Sequence, residues 1–303
     1  MIPVVRSEEV ARAHGLGAPV VALETAILCH GLPRPLNLEA ARAAEAAIRE
    51  EGATPATCAV LDGCLRIGLE GPDLEDLSRA EGVAKLSRAD LAPCLAAGRT
   101  GALTVAATMI AARLAGIEVF ATGGIGGVHP GASMSFDVSA DLHELSRTPV
   151  TVVASGVKSI LDVPATLEVL ETLGVPVIAT GQDDLPAFWS RASGLAAPLR
   201  MDDPAEIARS HRMRAALRLE GGQLVANPPP AEIAADEMAP LIARATREAR
   251  EVRGKAVTPW ILARLVELTE GRTLRVNVDL VVSNARLAAR IARELSALPR
   301  DSP

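Results

Sequence analysis

The chain has 303 residues, of which 49% are hydrophobic and 22% charged, with 31 Lys+Arg against 37 Asp+Glu and a net charge of −6. That balance belongs to a globular protein long enough to bury a sizeable core, and it excludes a disordered, collagen-like or heavily charged chain. Aromatic residues make up only 2% and tyrosine is absent, which leaves little for a stacked-base surface on an acidic chain, so no nucleic acid is expected as a partner.

In chain order, residues 19–27 read as an apolar strand run, followed by a helix over 38–51 with Asn37 as its cap and Gly52 as its stop. Strands follow at 57–61 and 65–69, then a short helix from Leu74. Ser87-Arg88-Ala89-Asp90 has the pattern of a capping box for a helix toward Ala97. The apolar stretch 100–112 is closed by Arg99 and Arg113, well short of the ~20 residues a spanning helix needs, so no membrane is expected as a partner. Further strands are predicted at 117–122, 150–155 and 175–180, and the helix between the last two begins near Pro164, a favourable first-turn residue. The last third is helical in pattern over 231–252, from Thr258-Pro259 onward, and from about Val278 to Leu295. The strand runs are almost wholly apolar and rich in Val, as befits strands covered on both faces. This alternation predicts a three-layer αβα sandwich around a mixed β-sheet, in one domain spanning residues 1–303. Residues 1–9 carry no basic region followed by an apolar run, so nothing resembles a secretory signal and a cytoplasmic location is the default expectation. Cys29, Cys58, Cys64 and Cys94 form no Cys-x-x-Cys pair and read as small core residues.

Only three of the basic residues are lysine: Lys85, Lys158 and Lys255. Arginine replaces lysine at most solvated positions but cannot act as a neutral amine, so the three survivors are candidates for amine chemistry or a compact charge contact. Lys158 lies just past an apolar strand and a glycine, where burial disfavours the ammonium form and frees the amine to attack a carbonyl; the competing reading is a phosphate contact or salt bridge. Glu24 follows an apolar strand run and precedes another apolar stretch. A carboxyl there either pairs with an arginine or serves as a general acid tuned by its surroundings. The run Thr122-Gly123-Gly124-Ile125-Gly126-Gly127 lets backbone approach a ligand closely, but it lacks a dinucleotide fingerprint, and a tight structural turn explains it equally well. Asp137, Ser139 and Asp141 fit either a helix cap with acids in its first turn or contacts to a divalent ion and a sugar.

Taken together, Glu24-Thr25 with His30-Gly31-Leu32-Pro33, the run from Ala121 to His129, Phe136-Asp137-Val138-Ser139-Ala140-Asp141-Leu142 and Lys158-Ser159-Ile160-Leu161-Asp162 resemble the pseudouridine-5'-phosphate glycosidase family, also called the indigoidine synthase A-like family. The match continues through Leu185-Pro186-Ala187-Phe188, Ala226-Asn227-Pro228, Gly254-Lys255 with Thr258-Pro259, and Ser283-Asn284-Ala285. One departure is Ala26, where a hydroxyl residue is expected. The resemblance implies a manganese-dependent enzyme that reversibly splits pseudouridine 5'-phosphate into uracil and ribose 5-phosphate. It assigns Lys158 as the amine that attacks the anomeric carbon of the opened sugar and Glu24 as the acid that protonates the uracil carbon. It further implies Mn²⁺ at Asp137 and substrate contacts at Lys85, Val105, Ser139, Ala140 and Asp141. Thr122, His129 and Asn284 are additional pocket residues, with Asn284 a candidate for the uracil amide edge, and Lys255 is taken as structural. A homotrimer is expected on the same ground. The alternatives are a related family enzyme acting on another C-nucleoside or in pigment biosynthesis, and a non-catalytic phosphosugar-binding protein.

Overall fold

The structure, a computed structural model, describes residues 4–252 and 257–299. Lys255 and Gly254 lie outside the described residues. The chain opens with β1 (Val4–Arg6) and α1 (Glu8–Gly15), and then builds β2 (Val20–Leu23), α2 (Leu36–Glu50), β3 (Thr54–Leu61) and β4 (Cys64–Ile67). Next come α3 (Gly71–Arg79), β5 (Ala84–Leu86), α4 (Arg88–Ala96), β6 (Gly101–Leu103), α5 (Val105–Ala115) and β7 (Val119–Ala121). The middle of the chain contributes α6 (Ala132–Ser135), α7 (Ala140–Leu145), β8 (Thr151–Ala154), α8 (Val163–Thr172), β9 (Val177–Ala179) and β10 (Leu199–Arg200). The described chain closes with α9 (Pro204–Ala216), β11 (Gln223–Ala226), α10 (Ala235–Glu248), α11 (Val257–Leu268) and α12 (Arg272–Ala297).

The strands form one sheet in the order β1-β4-β3-β2-β7-β8-β11-β9-β10, with β6 also on β3 and β5 on β6. Its main run, β3-β2-β7-β8-β11-β9-β10, is parallel, and the antiparallel pairings are confined to β3 with β4 and with β6. The sheet is therefore mixed, as expected, and mostly parallel. β3 does double duty: residues 54–57 pair with β2, and its second half runs on between β4 and β6. That extension brings β5, and Lys85 with it, up beside the parallel sheet.

Helices pack against the sheet along its length. α12 crosses β2, β7 and β8 with α2 and α9 beside it, while α5 packs on β2, β3 and β7 against α7 and α4. Because both faces are covered, the central strands are buried outright: every residue of β7, β8, β9 and β11 is inaccessible or nearly so. The connection from β2 steps toward β3 and the connection from β7 steps the other way, toward β8. β2 and β7 are neighbours, so the sheet has a topological switch point between them, the place where open α/β sheets leave a crevice at their carboxyl ends.

Several boundaries differ from the sequence expectation. The first strand run ends at Leu23, not Ile27, because residues 27–31 coil into a single π-helical turn. α2 begins two residues before the expected start, after Pro35, so Asn37 does not cap it. The Asn37 amide instead donates to Leu28 O (2.8 Å) and Ser78 O (3.1 Å), tying the π turn and α3 to α2. α12 starts six residues before Val278. The capping box at Ser87 and Asp90 forms as expected, and all four cysteines are free, with Cys58 and Cys94 buried.

Candidate active site

A cavity of about 530 Å³ opens at the carboxyl ends of β2, β7 and β8. Glu24 is the first residue after β2. Its carboxyl accepts a hydrogen bond from Thr122 Oγ1–H, and Thr122 is the first residue after β7, so the acid is held across the switch point. Burial pushes the Glu24 carboxyl above the usual range, against the pull of Lys158 and the Thr122 hydrogen bond. A carboxyl so placed holds its proton at a pH where an exposed glutamate is ionised.

Lys158 reaches the same cavity from beyond β8. Its backbone is clamped: Lys158 N donates to Ile125 O (3.1 Å), Ile125 N donates to Gly156 O (3.1 Å), and the neighbouring Ser159 Oγ donates to Ala187 O (2.7 Å). Gly156 has φ +85°, and a Cβ there would sit 2.2 Å from Pro186 O, so only glycine permits this turn. The glycine run after β7 is a cavity wall and a structural turn at once. Gly123, Gly124 and Gly126 line the cavity, while a Cβ on Gly126 would fall 2.2 Å from Ser139 Oγ.

Asp141 joins two walls of the site. Its Oδ1 accepts from Ala106 N (2.9 Å) in the first turn of α5, and its Oδ2 accepts from Gly126 N (2.8 Å). Ser139 caps α7 by accepting from Asp141 N. The capping pattern is thus realised, and it is also what lines the cavity with Ser139, Ala140 and Asp141. The remaining wall carries Lys85 from β5, Val105 as the first residue of α5, and His129 and Asp137 from a loop in which His129 N donates to Asp137 O (3.0 Å). Asp137 is half-exposed, with its carboxylate 4.0 Å from His129 Nδ1. Among the described residues no group of three or more His, Cys, Asp or Glu is placed to hold a metal.

Two expected pocket residues lie beneath the cavity wall. Thr122 is 2% exposed and serves as the hydrogen-bond donor to Glu24. Asn284, on α12, is fully buried: its Nδ2 donates to Thr122 O (2.8 Å) and Ser155 Oγ (3.1 Å), and its Oδ1 accepts from Asn227 Nδ2 (3.0 Å). With both Nδ2 hydrogens committed and the side chain fully buried behind the cavity wall, the Asn284 amide is not presented to a uracil edge. It braces the carboxyl ends of β7, β8 and β11 against α12 instead.

The family model described as "Indigoidine synthase A like protein" matches residues 9–294. The chain belongs to the indigoidine synthase A-like family. Curated relatives include proteins named pseudouridine-5'-phosphate glycosidase from Jannaschia sp. (strain CCS1), 64% identical over 97% of this chain and 99% of that one, and from Paracoccus denitrificans (strain Pd 1222), 64% identical over 96% and 97%. Among solved structures, an indigoidine synthase A-like protein from Thermotoga maritima superposes with a TM-score of 0.90 at 39% identity, covering 97% of each chain. Prealnumycin C-glycosynthase, in complex with ribulose 5-phosphate, gives 0.89 at 35% identity, again covering 97% of each.

The family motifs supply most of the cavity, but not all of it. Asn277 on α12 also lines it, and its Oδ1 accepts from Trp189 Nε1 (2.7 Å), which fixes the amide so that its NH₂ group remains available to a ligand carbonyl. The sequence holds the signal: Asn277 and Asn284 are seven residues apart and so share one face of a helix. Starting that helix at Val278 hid it. Phe188, Thr104 and the α11 residues Thr258, Pro259 and Leu262 complete the wall.

Proposed function

We propose that the chain reversibly cleaves pseudouridine 5'-phosphate to uracil and ribose 5-phosphate, with Lys158 as the amine nucleophile and Glu24 as the acid. The observation that carries the reading is that a buried, proton-holding carboxyl and a lysine face one cavity from the ends of β2 and β8, in a chain 64% identical to proteins named for this activity. The scissile bond joins two carbons, so protonating an oxygen leaving group, as ordinary glycosidases do, is of no use. In the proposed sequence the Lys158 amine first bonds C1′ as the C1′–O4′ bond breaks, and the proton that the nitrogen sheds passes to O4′, which opens the sugar. The nitrogen lone pair then forms the C1′=N bond as the C1′–uracil bond breaks; that bond's electron pair stays with the ring carbon, which takes the proton of Glu24, and the proton released when the iminium is hydrolysed restores the acid. C1′ is left bonded to the Lys158 nitrogen as an iminium of the opened sugar, which water hydrolyses to ribose 5-phosphate and the free amine.

Lys85 supplies the charge for the phosphate, with the amino end of α5 at Val105 beside it in the same wall. Asn277, not Asn284, is positioned for a uracil carbonyl. Asp137 is the residue that would hold Mn²⁺, with water and ligand oxygens in the other positions, a donor set that suits a hard cation. When bound, the ion would supply positive charge for ligand oxygens at the mouth of the site. The assembly we propose is a homotrimer.

Incubation with pseudouridine 5'-phosphate and Mn²⁺ should release uracil, and borohydride added during turnover should trap ribose 5-phosphate on Lys158. No uracil, or an adduct mapped to another lysine, overturns the reading. The likeness to prealnumycin C-glycosynthase favours a second reading, formation of a C-glycoside on a different acceptor by the same pair of groups. Uracil release separates the two.

A further inference from the structure

His30 sits on the π-helical turn that follows Glu24, and it lines the cavity. Such turns are held only where surrounding bonds fix them, and they recur at functional sites. Here Cys29 N donates to Thr25 O (3.0 Å), Thr25 Oγ1 is itself bonded to Cys58 O (2.8 Å) and Leu103 N (3.0 Å), and the Asn37 amide takes Leu28 O. The turn is thus pinned to β3, β6 and α2, and His30 is carried on a rigid support. Nevertheless its Nε2 is buried and has no hydrogen-bond partner among the described residues. An orphaned buried ring nitrogen is costly, and folding gains nothing from it. A ligand in the cavity can supply the missing partner, since rotation about the broad χ2 torsion of a histidine suffices to present the nitrogen.

The chemistry of that ligand group follows from the neighbour. Burial, and after it the positive charge of Lys85, hold the imidazole below its usual range, so His30 stands uncharged close to a lysine ammonium in the same cavity. A neutral ring beside a cation suits an anionic oxygen: the lysine contributes charge and the ring one directional N–H. We propose that His30 is a second contact, beside Lys85, for the phosphate oxygens of the ligand. This rests on the reading of the site given above, in which Lys85 faces the phosphate.

Binding of ribose 5-phosphate, measured by calorimetry, tests it without turnover. His30→Leu should leave the melting temperature of the ligand-free protein unchanged or raised, because the lost nitrogen had no partner. It should weaken ribose 5-phosphate by about tenfold or more, the worth of a hydrogen bond to a charged group. His30→Gln, which keeps a donor, should recover part of that loss, and binding of unphosphorylated ribose should not change. In the unsubstituted protein the His30 ring resonances, identified by their loss in His30→Gln, should shift on titration with ribose 5-phosphate. If wild-type protein does not bind ribose 5-phosphate, the reading of the site falls and the inference with it. Full binding by His30→Leu, or ring resonances that stay put at saturation, overturns the inference alone.

Discussion

Glu24 shows how the proton affinity of a single side chain is set by competing forces. Burial raises its carboxyl, while Lys158 and Thr122 pull it down, and burial wins. The sign for stability follows: the folded state favours the protonated form, so ionisation costs stability as pH rises from the ordinary glutamate value through the raised one. Glu24→Gln should therefore abolish uracil release while raising the melting temperature at neutral pH; a variant that is both inactive and less stable would refute the assignment of Glu24 as a strained acid. Lys158→Arg keeps the charge but has no neutral amine, so activity and borohydride-trapped adduct should vanish together. Asn284 belongs to a different class. Removing its amide by Asn284→Ala strands Thr122 O and takes a partner from Ser155 Oγ and from Asn227 Nδ2, which keeps Ser283 Oγ, so about 2–3 kcal/mol of stability should be lost in denaturant unfolding. An undiminished midpoint would show that water replaces the amide.

Elements take their places through a few polar ties as well as through apolar packing. Arg88, the first residue of α4, donates to Glu144 of α7 from Nε (2.6 Å) and Nη2 (3.0 Å), and the Glu144 side chain is wholly buried with Thr148 as its other partner. This pair joins the helix that follows Lys85 to the helix that carries Ala140 and Asp141. Because the carboxylate is buried and the arginine half-exposed, Arg88→Ala leaves a charge stranded rather than merely losing a surface bridge, at a cost of about 2–3 kcal/mol. A fall in melting temperature with a raised KM and a near-normal kcat is the expected pattern. A loss confined to kcat would place Arg88 nearer the chemistry than its geometry allows. The helices α4 and α8 were legible in the sequence, α4 from the capping box at Ser87 and Asp90 and α8 from Pro164 in its first turn, whereas α5 was read only as an apolar stretch too short to span a membrane. The π turn was not legible, since nothing in Ile27-Leu28-Cys29-His30-Gly31 distinguishes it from continued strand until Asn37 and Thr25 are seen to hold it.

At the scale of the molecule, the end of the sheet away from the cavity is closed by Glu118, just before β7. Burial opposes its charge, yet hydrogen bonds from His211 and Arg212 outweigh burial and hold the carboxyl down at about 2. Arg212 Nη2 also donates to Leu295 O (3.0 Å), so this cluster locks sheet, α9 and the last turn of α12 together. A depressed carboxyl contributes stability that is full above the ordinary glutamate value and is lost as pH falls toward 2. Glu118→Gln should thus flatten the acid limb of a stability–pH curve in that window, by an amount on the order of 2–3 kcal/mol; parallel acid limbs for the two proteins would exclude the cluster as its source. Light scattering at working concentration should report three chains, and a monomer would count against the assembly. Among the described residues no helix is long and apolar enough to cross a membrane.

The sequence alone determined the chemistry available to this protein. An enclosed acid after a valine-rich run, three lysines among many arginines, and a glycine loop after a strand are local facts, and local facts survive in a one-dimensional reading. Tertiary structure decided which of them meet. Glu24, Lys85, Asp137 and Lys158 are separated by as many as 134 positions in the chain, and only the strand order β2-β7-β8, with β5 carried up by the extension of β3, brings them to one cavity. The same ordering turned Asn284 into a brace and Asn277 into a wall residue, because which face of α12 meets the sheet, and how far along it the cavity begins, depend on packing between elements distant in sequence. Long-range burial assigned those roles, and no residue carries that information by itself.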